Sequence, residues 1–509
     1  MMGHVRRRTG RLGHRLHSMP DLLGRTPGLF YARPRFRKLL ANALQPLRRS
    51  GSSDGRPRND LLQDLQGFCY LGMKRNGYRF RAFCRDFHFG LGVLFFCLIC
   101  YRLCERFLNP KAVMSSIDKL PTPAALIDRQ RLLRNLRDMQ QRAAREGVAL
   151  RPHAKTHKTP ELARLQQELG ATGITVATVD EAEAFVAAGL TDVRVAYPTV
   201  GTDRYERLLA LMARARISFC LDTPEAIRAA SDFFAARGRQ AEVLLEVDTG
   251  FGRTGVRWDD ARRLVDCARL IQESPGLRLI GLLTHAGQAY HGPGPEESPA
   301  EALRRVAAEE RDRLLAAAVA LQQAGVAHPD RFELSVGSTP TAHYFTNRTE
   351  QGFRITEIRP GNYVFHDVMQ VALGSCSRDA CALTILARVV SRKPDGRGGW
   401  WVFLDAGKKA LATDQGYGTQ GYGLPLYHPA RRIPLPHASI ERLSEEHGWM
   451  HVRGGTTLQI GDRVQIVPNH ACLIAPLLRR FYVLDGDEVV AEWSVVGAAS
   501  SVRSASSTC

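Results

Sequence analysis

A chain of 509 residues with 44% hydrophobic and 24% charged residues has the composition of an ordinary soluble globular protein and exceeds a single core, so two or more domains are expected. Its formal net charge of +19 resembles a nucleic-acid signature until the charge is located. Residues 1–113 hold 22 Lys and Arg against 6 Asp and Glu, which leaves the rest of the chain near neutral and excludes nucleic acid as a partner of the main body.

The first 113 residues read as a basic extension, rich in arginine and too poor in apolar surface to order itself. Within it, residues 89–101 form thirteen consecutive uncharged positions. A spanning helix needs about 20 apolar residues, so a membrane tether there is the lesser alternative. Transit-like leader and anionic-surface tether are further readings of the extension. Met114, a few residues before the first strand of the body, also reads as a natural start. The eleven cysteines are scattered, five in the extension and six beyond it, which points to free thiols in a reducing, cytoplasmic compartment. Cys97 and Cys100 have CxxC spacing but no second pair, and read as packing.

Beyond the extension, a strand is predicted at 124–127 and a helix at 129–145. Eight further strands follow at 148–151, 174–177, 193–197, 217–221, 243–247, 279–284, 333–336 and 356–359. Helical patterns separate most of them, for example at 161–169, 224–237, 258–272 and 300–324. Pro224 suits a first helical turn, and Thr178 with Glu181 reads as a capping box opening a helix that stops at Gly189. Eight βα repeats over about 240 residues have the pattern of a (β/α)8 TIM-type barrel, an α/β fold. After Val371 the pattern changes. Runs at 382–391, 400–404, 463–467 and 488–495, separated by Gly- and Asp-rich turns, read as a C-terminal antiparallel β domain. The expected division is therefore 1–113 extension, 114–370 barrel, 371–496 β domain and 497–509 disordered tail.

Lys155 lies in Arg151-Pro-His-Ala-Lys155-Thr-His157-Lys158, directly after a predicted strand, at the barrel end where active sites occur. Lysine forms Schiff bases with aldehyde cofactors, and the neighbouring Arg151, Lys158, His153 and His157 are expected to lower its pKa. The plain alternative is a basic turn facing solvent. Three more motifs fall at strand mouths: Asp248–Arg253, Thr284-His285-Ala-Gly287, and Ser335-Val-Gly337-Ser338-Thr339-Pro340-Thr341. The last, with Arg359-Pro-Gly361-Asn-Tyr363 after the final strand, reads as a phosphate site of small residues and backbone N–H groups. In the β domain, Val467-Pro-Asn-His470-Ala-Cys472 on an extended strand would present His470 and Cys472 on one face. An imidazole and a thiol suit zinc, with positions left open for a Lewis-acid role. A buried cysteine beside a hydrogen-bonded histidine is the alternative.

The ordered series RPHAKTHKTPELA, GITVATVDEAEAFVAAG, EVDTGFGRTGV, SVGSTPT, RPGNYVFHD, LDAGKKAL, LSEEHG and VPNHAC resembles the D-threonine aldolase and eukaryotic-type D-serine dehydratase family. These are fold-type III pyridoxal-phosphate enzymes related to alanine racemase, and the resemblance runs from about residue 121 to 496. It implies that Lys155 holds the cofactor and that Gly337, Ser338 and Thr339, with the backbone from Gly361 to Tyr363, hold its phosphate. Arg253 and His285 would lie near the ring. His470 and Cys472 would bind a divalent metal, zinc by expectation and manganese as the alternative. The implied activity is a lyase acting on small β-hydroxy D-amino acids, of D-serine dehydratase (ammonia-lyase) type. A D-threonine aldolase, a 3-hydroxyaspartate dehydratase or aldolase, and, more remotely, a racemase or a non-catalytic cofactor-binding protein are the alternatives. The family also implies a homodimer. The run LDAGKKAL departs from the family in carrying two lysines where one or none is usual.

Overall fold

The computed structural model describes residues 115–426 and 433–497. The basic extension, its apolar run at 89–101 and the tail beyond 497 lie outside the described residues, and among those described no helix is long and apolar enough to cross a membrane.

Apolar runs too short for helices and buried on both faces make parallel strands. Eight of them form one parallel sheet: Ala149–Leu150, Ile174–Val176, Asp192–Pro198, Arg216–Leu221, Ala241–Asp248, Leu277–Leu283, Glu333–Val336 and Glu357–Ile358. The pair Ala149–Leu150 and Glu357–Ile358 joins first strand to last, and a parallel bridge between His153 and Thr175 closes the remaining seam into a barrel. Helices fill the crossovers. Thr223 caps the helix Pro224–Ala235, which opens with proline, and Ser298 with Glu301 forms a complete capping box on Pro299–Gln323. The box expected at Thr178 forms only in half. Thr178 accepts from the Glu181 N–H, but the Glu181 carboxylate accepts from the Ala177 N–H and pairs with Lys158 at 2.8 Å.

The barrel interior carries a buried polar layer. Arg194 is fully buried and donates to Glu357 at 2.6 Å, to Glu333 at 2.5 Å and to Ser218 at 3.1 Å. Arg151 donates to the other Glu357 oxygen at 2.6 Å, and Ser335 donates to Glu357 at 2.5 Å. Burial opposes ionisation of Glu357, but Arg194 and Arg151 outweigh it and hold the carboxyl down at about 2. Its contribution to stability is therefore present above the ordinary glutamate range and is lost as pH falls from there through about 2. Glu357→Gln leaves two buried guanidiniums short of a charge partner and is expected to cost about 3–5 kcal/mol. Urea unfolding at neutral pH checks this, and a loss below about 1 kcal/mol refutes it.

The second sheet is built on the long strand Leu383–Pro394, which pairs antiparallel with Trp400–Leu404, with Arg463–Val467 and with Ala124–Asp128. The hairpin Ala438–Leu443 and Gly448–Val452, the pair Arg480–Asp485 and Glu488–Ser494, and the short strand Leu424–Leu426 beside Arg463–Val467 extend it. Here the expected boundary is corrected. Ser115–Ser116 and Ala124–Asp128 precede the barrel in sequence but are strands of this sheet, the latter parallel to Arg480–Asp485. Neighbourhood in sequence favoured the barrel; the strand instead fills the place in the second sheet between Leu383–Pro394 and Arg480–Asp485. Helix Arg129–Arg145 then leads into the barrel.

Candidate active site

Lys155 sits in the single turn Ala154–Thr156, after the strand Ala149–Leu150 and so at the C-terminal mouth. Its surroundings differ from the expected cationic cluster. Arg151 points to the barrel floor, where Glu357 and Asp192 hold it, and Lys158 pairs with Glu181. Burial drives His157 down to about 3. Burial, then the Lys155 ammonium, also depresses His153 well below the usual imidazole range and His285 to about 3. The amine therefore faces neutral rings, with the buried Arg359 guanidinium beyond them. Arg359 donates to the Ser335 hydroxyl and the Thr284 carbonyl, and burial lowers it to about 10.

His285 Nδ1 lies 2.8 Å from the Gly337 carbonyl. A carbonyl can only accept, so Nδ1 carries the proton and Nε2 keeps its lone pair. Arg253 is half-exposed, with Nη2 3.9 Å from Glu246, and is close enough to His285 to depress that ring further. Gly337 has φ 155°, and a Cβ there would come within 2.6 Å of the Arg359 nitrogen. A Cβ on Gly361 would meet Thr156 Oγ1 at 2.9 Å and the His153 carbonyl at 3.0 Å. The two turns are tied by the Tyr363 N–H donating to Thr339 Oγ1 at 3.1 Å.

Not every predicted phosphate donor is free. The Gly337 N–H is taken by Glu310 at 2.9 Å, and the Tyr363 side chain turns away to accept from Gln166. Among the described residues no acceptor meets the N–H groups of Ser338, Thr339, Gly361 or Asn362. These four N–H groups lie on two tethered turns. Glu310 holds the first of them, since the same oxygen also accepts from the Ala286 N–H at 3.2 Å.

His470 and Cys472 come together by a route other than the extended strand expected. The strand ends at Val467, and Cys472 lies in the turn Ala471–Leu473. Asp367 shapes this turn by accepting the Ala471 N–H at 2.8 Å while Asn362 donates to the same carboxylate at 2.5 Å. Cys472 Sγ is 3.1 Å from Thr156 Oγ1, so the residue after Lys155 touches the thiol. Burial pushes the thiol up, yet the facing His470 and then Lys155 outweigh it, and the net direction is down. Burial likewise opposes the His470 cation, but Cys472, Asp367 and Asp414 raise it.

The domain profile described as alanine racemase, N-terminal domain, matches residues 127–368, and that described as putative serine dehydratase domain matches 382–484. D-threo-3-hydroxyaspartate dehydratase of Delftia sp. (strain HT23) is 37% identical over 74% of this chain and 97% of its own length. The chain belongs to the alanine racemase-like D-serine dehydratase and D-threonine aldolase family. D-threonine aldolase of Arthrobacter sp is 33% identical, covering 69% of this chain and 86% of its own. A solved D-threo-3-hydroxyaspartate dehydratase, a cysteine-to-alanine mutant in the metal-free form, matches with a TM-score of 0.68 at 35% identity, over 75% of this chain and 99% of that one. Family members are pyridoxal-phosphate-dependent lyases on the alanine racemase-like barrel, and this chain is a lyase of that kind.

Several residues of this dehydratase–aldolase site were given no role by the sequence. Thr156, Arg359, Asn362 and Asp367 stand inside the motifs quoted above and Glu310 outside them; all five are buried, and the contacts Thr156–Cys472, Glu310–Gly337, Arg359–Thr284 and Asp367–Ala471 join distant parts of the chain. Asp414 is 2.8 Å from His470 Nδ1. The two lysines of LDAGKKAL face solvent, Lys409 pairing with Glu446.

Proposed function

We propose that this protein is a pyridoxal-phosphate- and metal-dependent lyase that dehydrates β-hydroxy D-amino acids, of the D-serine dehydratase type. The observation that carries the reading is the contact between Thr156 and Cys472, which brings the Lys155 turn of the barrel against the thiol of the β domain.

The residues present fit both groups. Lys155 Nζ would hold the cofactor's aldehyde carbon, and the N–H groups of Ser338, Thr339, Gly361 and Asn362 its phosphate. At Gly337 and Gly361 a Cβ would collide with Arg359 or with Thr156 and His153, so glycine lets these turns pack this closely. Arg253 and His285 would face the ring. A thiol beside an imidazole whose other nitrogen meets a carboxylate is a donor set for zinc, with room for water or substrate. Bound there, the cofactor supplies an electron sink for a bond broken at the substrate α-carbon, and the metal a Lewis acid at the β-oxygen.

The chain's own groups do the rest. Lys155 Nζ takes the α-proton, and the depressed His153 and His285 beside it stay uncharged and do not compete with the amine as cations. His285, with Nδ1 committed to Gly337, offers Nε2 as an acceptor. Cys472 and His470 anchor the side on which the β-hydroxyl departs. Because the lysine turn and the thiol touch through Thr156, proton removal and hydroxyl loss are served from one side of the site. That coupling favours dehydration over Cα–Cβ cleavage.

The purified protein, loaded with cofactor and zinc, is tested on D-serine, D-threo-3-hydroxyaspartate and D-threonine, with and without chelator. Keto acid and ammonia, lost on chelation, are expected. Glycine with an aldehyde makes the enzyme an aldolase, and turnover indifferent to chelator removes the metal from the reaction.

A further inference from the structure

We propose that Asp414 is the positioning residue of the metal site, fixing the orientation and proton placement of His470. The inference rests on the reading of His470 and Cys472 as metal ligands. Asp414 Oδ2 lies 2.8 Å from His470 Nδ1. A carboxylate in that place engages Nδ1, so Nε2 is the nitrogen that would be left to a metal shared with Cys472. Without the carboxylate, the ring can turn over or carry its proton on the other nitrogen, and each such state must be undone before a metal binds.

Asp414 is itself held, and held by the neighbour of the residue it orients. The buried Asn469 donates through Nδ2 to the Asp414 carbonyl at 3.0 Å and to the Gly421 carbonyl at 2.9 Å, while its Oδ1 accepts from the Gly423 N–H at 3.0 Å. One side chain thus staples both ends of the segment 414–423 to the His470 loop. The segment also lies against the barrel mouth: a Cβ on Gly416 would fall 2.5 Å from Met369 Sδ, and the Tyr417 ring occupies the space beside Gly292. The Asp414 side chain keeps 42% of its surface exposed.

The full-length protein is stripped of metal, and zinc affinity is measured by competition with a chromophoric chelator for wild type, Asp414→Ala and Asp414→Asn. Thermal melting of the metal-free forms tests whether the fold is intact. Asp414→Ala is expected to weaken zinc binding about 10- to 100-fold, the usual loss when such a partner is removed. Asp414→Asn, which keeps an acceptor oxygen but no charge, should lie between. Cobalt(II) loaded into Asp414→Ala should retain its thiolate absorption, because Cys472 is untouched, while its ligand-field bands shift. Wild-type zinc affinity in a folded Asp414→Ala overturns the inference and leaves the metal reading standing. A wild type that binds no zinc overturns both. Should the alanine variant fail to fold, wild-type affinity in Asp414→Asn together with an unshifted cobalt spectrum overturns it.

Discussion

Lys155→Ala is expected to give a folded protein that does not retain the yellow cofactor and has no measurable turnover. The side chain is half-buried at the mouth of the barrel, so its removal should barely move the melting temperature. What it removes is the amine that would both anchor the cofactor and take the α-proton. Proton transfer by a positioned group alone is worth about 10²–10⁴-fold, and loss of the anchor adds to this, so activity should fall by at least about 10⁴-fold. Visible absorbance after gel filtration in excess pyridoxal phosphate reads the first role, and product formation from D-serine reads the second. A colourless wild type that cannot be reconstituted, or a variant as active as wild type, ends the functional reading.

The second large effect belongs to Cys472. Cys472→Ala should lose bound zinc and, with it, lyase activity, while pyridoxal phosphate still binds through Lys155. A Lewis acid contributes several kcal/mol at the transition state, and about 1.4 kcal/mol is tenfold in rate. The expected fall is therefore about 10²–10⁴-fold, not restored by added zinc. Elemental analysis and cofactor absorbance on one sample separate the two sites. Retained zinc would mean that other groups hold it; lost cofactor would mean that Cys472 matters through Thr156 and the Lys155 turn instead. His470→Ala should repeat the zinc result, and a variant with full activity contradicts the assignment of either ligand.

The barrel was legible because its signals are local. Each of the eight strands is a short apolar run, each crossover helix repeats near the 3.6 period, and proline or a capping residue marks several of the starts. Lys155 stood out as a candidate because it stands one turn past such a run, and His470 with Cys472 because two metal-type donors fall two residues apart. The geometry joining them was misread where local pattern had a competitor. Arg151 and Lys158 read as neighbours of the Lys155 amine, but their charges are better served by Glu357 and Glu181, so they point elsewhere. His470 and Cys472 read as one face of a strand, yet Asp367 draws the Ala471 N–H out of any ladder and bends the chain into a turn.

The amino-acid order alone therefore determined the α/β barrel and the β domain, and it singled out Lys155, His470 and Cys472 as the candidate reactive amine and donor side chains, since each follows from patterns within about ten residues. Only the folded chain decided which sheet takes Ala124–Asp128, that the Lys155 turn meets Cys472 through Thr156, and that Asp414 faces His470. Those pairs are separated by 316 and 56 residues. No local pattern encodes such a meeting, because it depends on how two sheets and their connecting loops pack once every nearer partner has been satisfied.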